Sequence, residues 1–298
     1  MRYRHTDSSL LGIAHHFNSA TLWRVFGLAQ ILLEEKPLTV RRALYAGQGR
    51  ELFPDTSDQR YACCSRLILC LRRYGFVPYD WIVDSTRRRL KPSSWSGLAD
   101  YAETVAQCYR KNLWTSQPDY IEIFCEKDAM AGVIEPVTDR YDVTLNNIRG
   151  NCSETFVYRV AELWKKIKKP IFAYYLGDHD PSGLRIERDL QRRLNGSLDK
   201  AFHWQRLAVT SEDFANQDLL GFPVKRKGSP GSWRPYLEIY DDRCVEVDAI
   251  PTTEIRERVE TAILNHVDQH EWALLQAQEE REKKDIFELV KELGARAA

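Results

Sequence analysis

Leu176-Gly177-Asp178-His179-Asp180-Pro181-Ser182-Gly183 closes the apolar run Ile171 to Leu176 and opens a helical pattern. Upstream, Cys125-Glu126-Lys127-Asp128-Ala129 stands in the same way after the apolar run Ile121 to Cys125. Strand, acidic turn and helix, given twice, predict an α/β fold with a parallel sheet. Glu126, Asp178 and Asp180 then fall at the carboxyl ends of neighbouring strands, the edge along which open α/β sheets bind ligands. Three carboxylates brought together there repel one another unless protons or a cation intervene. A hard divalent metal is the natural occupant. Mg²⁺ suits sites with few carboxylates that share the ion with phosphate, and Mn²⁺ is its expected substitute. Asp180-Pro181 also has a plainer reading as a helix N-cap followed by proline at the first position. That accounts for one carboxylate and leaves Asp178 and Glu126 without a role.

Outward from this pair of turns, the N-terminal part reads as helical. Residues 8 to 35 carry an amphipathic pattern that Lys36-Pro37 ends. Thr39 is placed to cap a short helix through Tyr45. After Gly47-Gln48-Gly49 and Pro54-Asp55 a second helix is expected from about Gln59 to Tyr74, closed by Gly75, with Val77 to Val83 as a wing-like strand or turn. Helix, turn, helix and extended segment fit a helix-turn-helix variant, with Arg66, Arg72 and Arg73 turned to phosphates. Arg87 to Ser94 reads as a basic linker, and a helix is expected around Leu98 to Lys111. Beyond the α/β part, Lys225 to Ser232 reads as a loop, Tyr236 to Tyr240 and Cys244 to Val247 as strands, and Thr252 to Leu293 as helix broken near Asp268. The expected division is a helical extension over 1–35, a winged-helix-like domain over 36–92, a Rossmann-like domain over 93–251 and a helical segment over 252–298.

The composition, 43% hydrophobic and 29% charged, is that of a soluble globular chain. No run approaches the roughly 18 apolar residues of a membrane helix, and the polar start does not read as a secretory signal. The seven cysteines include no Cys-x-x-Cys pair. They read as reduced thiols of a cytoplasmic protein, not as a zinc site or a disulfide frame. The net charge is zero, yet residues 36 to 91 hold twelve Lys and Arg against five Asp and Glu. A basic N-terminal third on an acidic remainder suits a protein that grips a polyanion with one part and a metal with another, although a basic face is often merely solvated.

A lone Glu after one strand and Asp-x-Asp after a later one resemble the Toprim domain of topoisomerases, primases and some nucleases. The longer form Gly177-Asp178-His179-Asp180-Pro181-Ser182-Gly183 is similar to the version in the topoisomerase VI A subunit and its meiotic double-strand-break relative. It looks still more like the stand-alone bacterial and phage Toprim proteins related to them. The resemblance extends over roughly residues 38 to 265, through Glu126–Val137, Gly150–Phe156, Gln205–Thr210 and Val245–Pro251. In that family a winged-helix domain carries a tyrosine in a Thr-x-Arg-x-x-x-Tyr segment, matched here by Thr39-Val40-Arg41-Arg42-Ala43-Leu44-Tyr45. Leu44 stands where a second tyrosine is frequent and Arg42 where an acid is frequent.

The resemblance implies DNA as partner and Mg²⁺ on Glu126, Asp178 and Asp180. It implies strand cleavage by transesterification, with Tyr45 as nucleophile, a 5′-phosphotyrosyl link and Glu126 as proton donor to the leaving oxygen. Arg41, four residues from Tyr45 on one helix face, would favour the phenolate and bind the phosphate. Arg42, Arg66, Arg72, Arg73, Lys225, Arg226 and Lys227 are the expected DNA contacts. One candidate nucleophilic tyrosine per chain implies a homodimer in which Tyr45 of one subunit approaches the metal of the other. A separate ATPase subunit is a further expected partner, and no membrane is. Two alternatives stay open at this point: a Toprim nuclease in which water attacks and Tyr45 is structural, and a DNA-binding subunit of a larger condensin-like defence or topoisomerase assembly. Glu246 and Asp248 alternate along one stretch and read as salt-bridge partners more readily than as metal ligands. His179 is assigned no role.

Overall fold

A computed structural model of the chain describes residues 18–83, 93–226 and 229–297. Its centre is a four-stranded, all-parallel sheet of β1 (Tyr120–Cys125), β2 (Thr144–Asn147), β3 (Ile171–Leu176) and β4 (His203–Ala208), in the order β2-β1-β3-β4. Each parallel step is made through a helix: α5 (Asp128–Arg140) after β1, α6 (Glu154–Lys166) after β2 and α7 (Pro181–Ser197) after β3. The strand order reverses between β1 and β3, so the switch point of the sheet lies where Glu126 and Asp178 leave it.

Alternation along the strands sorts the two faces. Ile121, Ile123 and Cys125 of β1, with Tyr174 and Leu176 of β3, pack in one core with Met130, Val133, Ile134 and Val137 of α5. Phe124, Ala173 and Tyr175 point the other way, onto Val157, Ala161 and Trp164 of α6 and Ile186, Leu190 and Leu194 of α7. Both faces are covered, which is why β1 and β3 are almost wholly apolar runs. The exception is Glu122, buried in β1 and bonded by Tyr120 Oη at 2.6 Å, Asn146 Nδ2 at 2.7 Å and Trp164 Nε1 at 2.9 Å. A buried carboxyl is tolerable once its oxygens are met in this way.

The N-terminal helices are α1 (Ser19–Glu35), α2 (Val40–Gly49) and α3 (Asp58–Arg73), and α4 (Leu98–Cys108) precedes the sheet. Thr39 caps α2 as its sequence predicts, accepting the Arg42 N–H at 2.8 Å. The buried side chains of α1–α3, among them Leu28, Ile31, Leu44, Ile68 and Leu71, belong to the same continuous core as the α5 face of the sheet. Val77 to Val83 departs from expectation. Pro78 opens a single 3₁₀ turn, Tyr79–Trp81, and the one strand-like contact is a bridge of Ile82 to Leu38. Among the described residues there is no paired wing. The expected linker Arg87 to Ser94 falls largely outside them, and so does residues 8–17 of the first expected helix.

Beyond β4, the short α8 (Ser211–Ala215) leads to an antiparallel pair, β5 (Gly221–Phe222) and β6 (Cys244–Val245). Tyr236 to Tyr240, expected as strand, is helical in α9 (Arg234–Tyr240). Pro235 sits in its first turn, and Tyr236 and Tyr240, four apart, pack their rings against each other and edge-on against His179. The chain ends in α10 (Thr252–Leu264), packed on α5, and α11 (Gln269–Ala297), packed on α4, with the break near Asp268 as expected.

Candidate active site

The edge is built from the ends of β1 and β3. The Glu126 N–H donates to the Leu176 carbonyl at 2.9 Å, which sets the first acidic turn directly beside the second. Gly177 and Gly183 make room for the carboxylate. A Cβ on Gly177 would come within 2.6 Å of Glu126 Oε2, and one on Gly183 would overlap the Asp178 carbonyl oxygen. Glu126 is pushed up from its ordinary 4.5 to about 7, first by burial and then by the charges of Asp178 and Asp180. Burial likewise raises Asp178, against the pull of Lys127. The expected meeting of Glu126 with the Asp178/Asp180 pair at one edge is therefore present.

The three are not arranged as open ligands. Asp178 Oδ1 accepts the Val247 N–H at 2.8 Å, and its Oδ2 takes the Lys127 ammonium at 2.9 Å. Asp180 caps α7 through the Gly183 N–H at 2.7 Å, so the plain N-cap reading holds for one of its oxygens. Among the described residues no three His, Cys, Asp or Glu side chains stand as a ready metal cage. The donor chemistry still fits a hard divalent ion. The acids are oxygen donors only, few in number, and their mutual repulsion on Glu126 is what a cation relieves.

A second acidic pair joins this edge from far along the chain. His179 and Val245 exchange backbone hydrogen bonds at 2.9 and 3.1 Å, tying β6 to the end of β3. Glu246 and Asp248 follow, and Lys127 Nζ reaches both, at 3.3 and 3.1 Å. The salt-bridge reading of these two acids is the one observed. Asp248 also accepts the Thr39 hydroxyl at 2.6 Å, so the cap of α2 is fastened to the sheet edge.

Tyr45 is 4% exposed, and its hydroxyl donates to Glu246 Oε2 at 3.0 Å. Arg41 Nη1 lies 3.4 Å from the same hydroxyl, and its guanidinium sits over the Tyr61 ring. Burial raises the phenol far above its usual range, Arg41 opposing and Glu246 adding to the rise. The tyrosine is thus held by its own chain, one carboxylate away from Lys127, which in turn holds Asp178.

The expected DNA contacts divide. Arg42 is corrected: it is 7% exposed, its guanidinium is paired with both Glu35 oxygens at 2.7 and 2.8 Å, and it donates to the Ala249 carbonyl at 2.9 Å. Three of its five N–H donors are spent there, and the group is buried away from any phosphate on the surface. Arg66 and Arg73 are exposed on α3, while Arg72 is folded onto the carbonyl and ring of Tyr79. Lys225 and Arg226 are exposed next to β5, Lys225 lying 3.7 Å from Glu246 and Arg226 3.4 Å from Asp242. Lys227 lies outside the described residues. A cleft of about 520 Å³ opens beside the edge, lined by Asp180, Arg185, Phe222, Lys225, Trp233 and Glu246.

Lys127 is the central residue that the sequence reading passed over. Its signal was a basic residue directly after Glu126 at the end of a buried strand. His179 is structural, stacked on Phe214 and bonded to Tyr236, and burial lowers it to about 4. No protein-family model matches this chain, and none of the curated proteins does. No helix among the described residues is long and apolar enough to cross a membrane.

Proposed function

We propose that this chain cleaves DNA strands with the aid of Mg²⁺, by transesterification through Tyr45, in the manner of the topoisomerase VI A subunit that its motifs resemble. The observation that carries the reading is the hydrogen bond of Tyr45 to Glu246, which brings a candidate nucleophile to the edge that holds Glu126. Mg²⁺ would be held by Glu126, Asp180 and Asp178, and would supply charge neutralisation at the phosphate and the leaving oxygen. The residues do the rest. Tyr45 Oη forms the bond to phosphorus and passes its proton to the Glu246 carboxylate. Arg41 stabilises the oxygen and the phosphate. The bond to the 3′-oxygen breaks, and that oxygen takes its proton from Glu126, the acid at this edge that burial and its neighbouring carboxylates push toward the protonated form.

In this reading α1–α3 act as the winged-helix-like DNA-binding part, with Arg66 and Arg73 on α3 and Lys225 and Arg226 beside the cleft as phosphate contacts. A homodimer supplies the second tyrosine for a double-strand break. Each Tyr45 starts from the edge of its own chain. Incubation with end-labelled DNA and Mg²⁺, followed by denaturation, is expected to trap a covalent adduct, and Tyr45→Phe is expected to abolish it. Undiminished adduct in that variant sinks the assignment of the nucleophile. The burial of Tyr45 favours one second reading, a nuclease in which water attacks. Products with free 5′-phosphates and no attached protein would select it.

A further inference from the structure

We propose that Lys127 is a tethered countercation that holds the divalent ion's place at Asp178, so that metal binding and the Lys127–Asp178 contact exclude each other. This rests on the metal-dependent reading above. Nζ lies 2.9 Å from Asp178 Oδ2, 3.1 Å from Asp248 Oδ2 and 3.3 Å from Glu246 Oε2. An ammonium has three hydrogens, and three carboxylates take them. With Oδ1 of Asp178 engaged by Val247 N–H, its other oxygen is the one able to turn to a metal, and Lys127 occupies it.

The charges around the edge point the same way. Glu126, Asp178 and Asp180 crowd one another. Lys127 is the cation in contact with Asp178, Glu246 and Asp248, while Arg41 and Lys225 stand toward Glu246. Arg185 lines the cleft, and Arg206 is spent on the Gly177 carbonyl and Glu187. One lysine prevents collapse of the acidic pair but does not satisfy the edge. A divalent ion entering beside Glu126 and Asp180 takes Asp178 as well, and repulsion confines the ammonium to Glu246 and Asp248. Glu246 also accepts the Tyr45 hydroxyl, so the shift of Lys127 is felt at the nucleophile. Lys127 is then a positioning residue, one that sets both the metal affinity of the edge and the partner of Tyr45.

The test is Mn²⁺ binding to the full chain, measured by calorimetry and electron paramagnetic resonance without DNA. Lys127→Met is expected to bind at least about tenfold more tightly than the wild type, since a positive charge in contact with the ligand set is gone. Lys127→Arg is expected to stay within about twofold to threefold of wild type. Asp180→Asn, expected to lose binding, fixes the location. Unchanged or weaker binding by Lys127→Met, with the wild type binding, overturns the inference and leaves the metal-dependent reading standing. Absence of binding in both overturns that reading and this inference together. Should Lys127→Met fail to fold, a wild-type crystal structure with Mn²⁺ decides. Lys127 is expected to have left Asp178, and the two still in contact beside a bound ion would overturn the proposal.

Discussion

Arg42 and Lys127 carry the same charge and are both largely hidden, but their surroundings assign them opposite duties. The guanidinium of Arg42 meets a bidentate carboxylate and a carbonyl, an arrangement whose loss leaves the Glu35 carboxylate buried with only the Thr252 N–H in place of its cation. Arg42→Ala is expected to cost about 3–5 kcal/mol in urea unfolding. Arg66→Ala, on the exposed side of α3, is expected to stay within about 0.5 kcal/mol. Glu126 gives a pH signature. Its folded-state value, about 7, lies above its ordinary 4.5, so the folded chain holds a proton that the unfolded chain has lost between those limits. Stability from this group is full below pH 4.5 and declines as pH rises to about 7, by about 3 kcal/mol. In buffer with a chelator, Glu126→Gln is expected to flatten that part of the pH profile, and an unchanged slope would place the titrating group elsewhere. The acids of both turns were legible from residue type and strand context. The cation between them was not, because a lysine next to a glutamate reads as a solvated pair until the sheet shows that both are enclosed.

At the scale of elements, local chemistry announced itself where one turn of chain decides the outcome. The Thr39 cap of α2, the Asp180-Pro181 start of α7 and the break near Asp268 are all where their sequences put them. The misses lie where a neighbour decides. Tyr236 to Tyr240 alternates like a strand, yet it is helical, because Tyr236 and Tyr240 close over His179. Val77 to Val83 found a single bridge partner, and Pro78 with the following turn used the rest. The docking of α7 depends on Gly183, where the helix backbone meets the turn of Asp178 too closely for any side chain. Gly183→Ala is expected to displace the first turn of α7, at a cost of about 1–3 kcal/mol, and to weaken Mn²⁺ binding along with it. A variant with wild-type stability and metal affinity would show that the turn gives way freely.

For the molecule as a whole, the expected partition into an N-terminal domain and a sheet domain is softened by the packing. The core of α1–α3 runs without a gap into the α5 face of the sheet, and Thr39, Arg42 and Glu35 all bond to residues beyond 247. Tryptophan fluorescence and far-ultraviolet circular dichroism are therefore expected to report one coincident unfolding transition in urea. Two separated transitions would instead reveal units that fold independently. The charge asymmetry of the sequence has a counterpart here, since part of the basic surplus of residues 36 to 91 is consumed internally, by Arg42 on Glu35 and by Arg41 beside Tyr45 and Glu246.

The bridge between His179 and Val245 has a wider consequence. It makes the tether of Tyr45 a late arrival, delivered by a stretch of chain that must first travel around β4 and back. Closure between positions so far apart in sequence is slow. A nascent chain would own every acid of the first two turns before the carboxylate that holds the Tyr45 hydroxyl had been made. A protease nick between β5 and β6 would leave Val245 and Glu246 joined to the edge only through the His179 bridge and the helix α10 that follows.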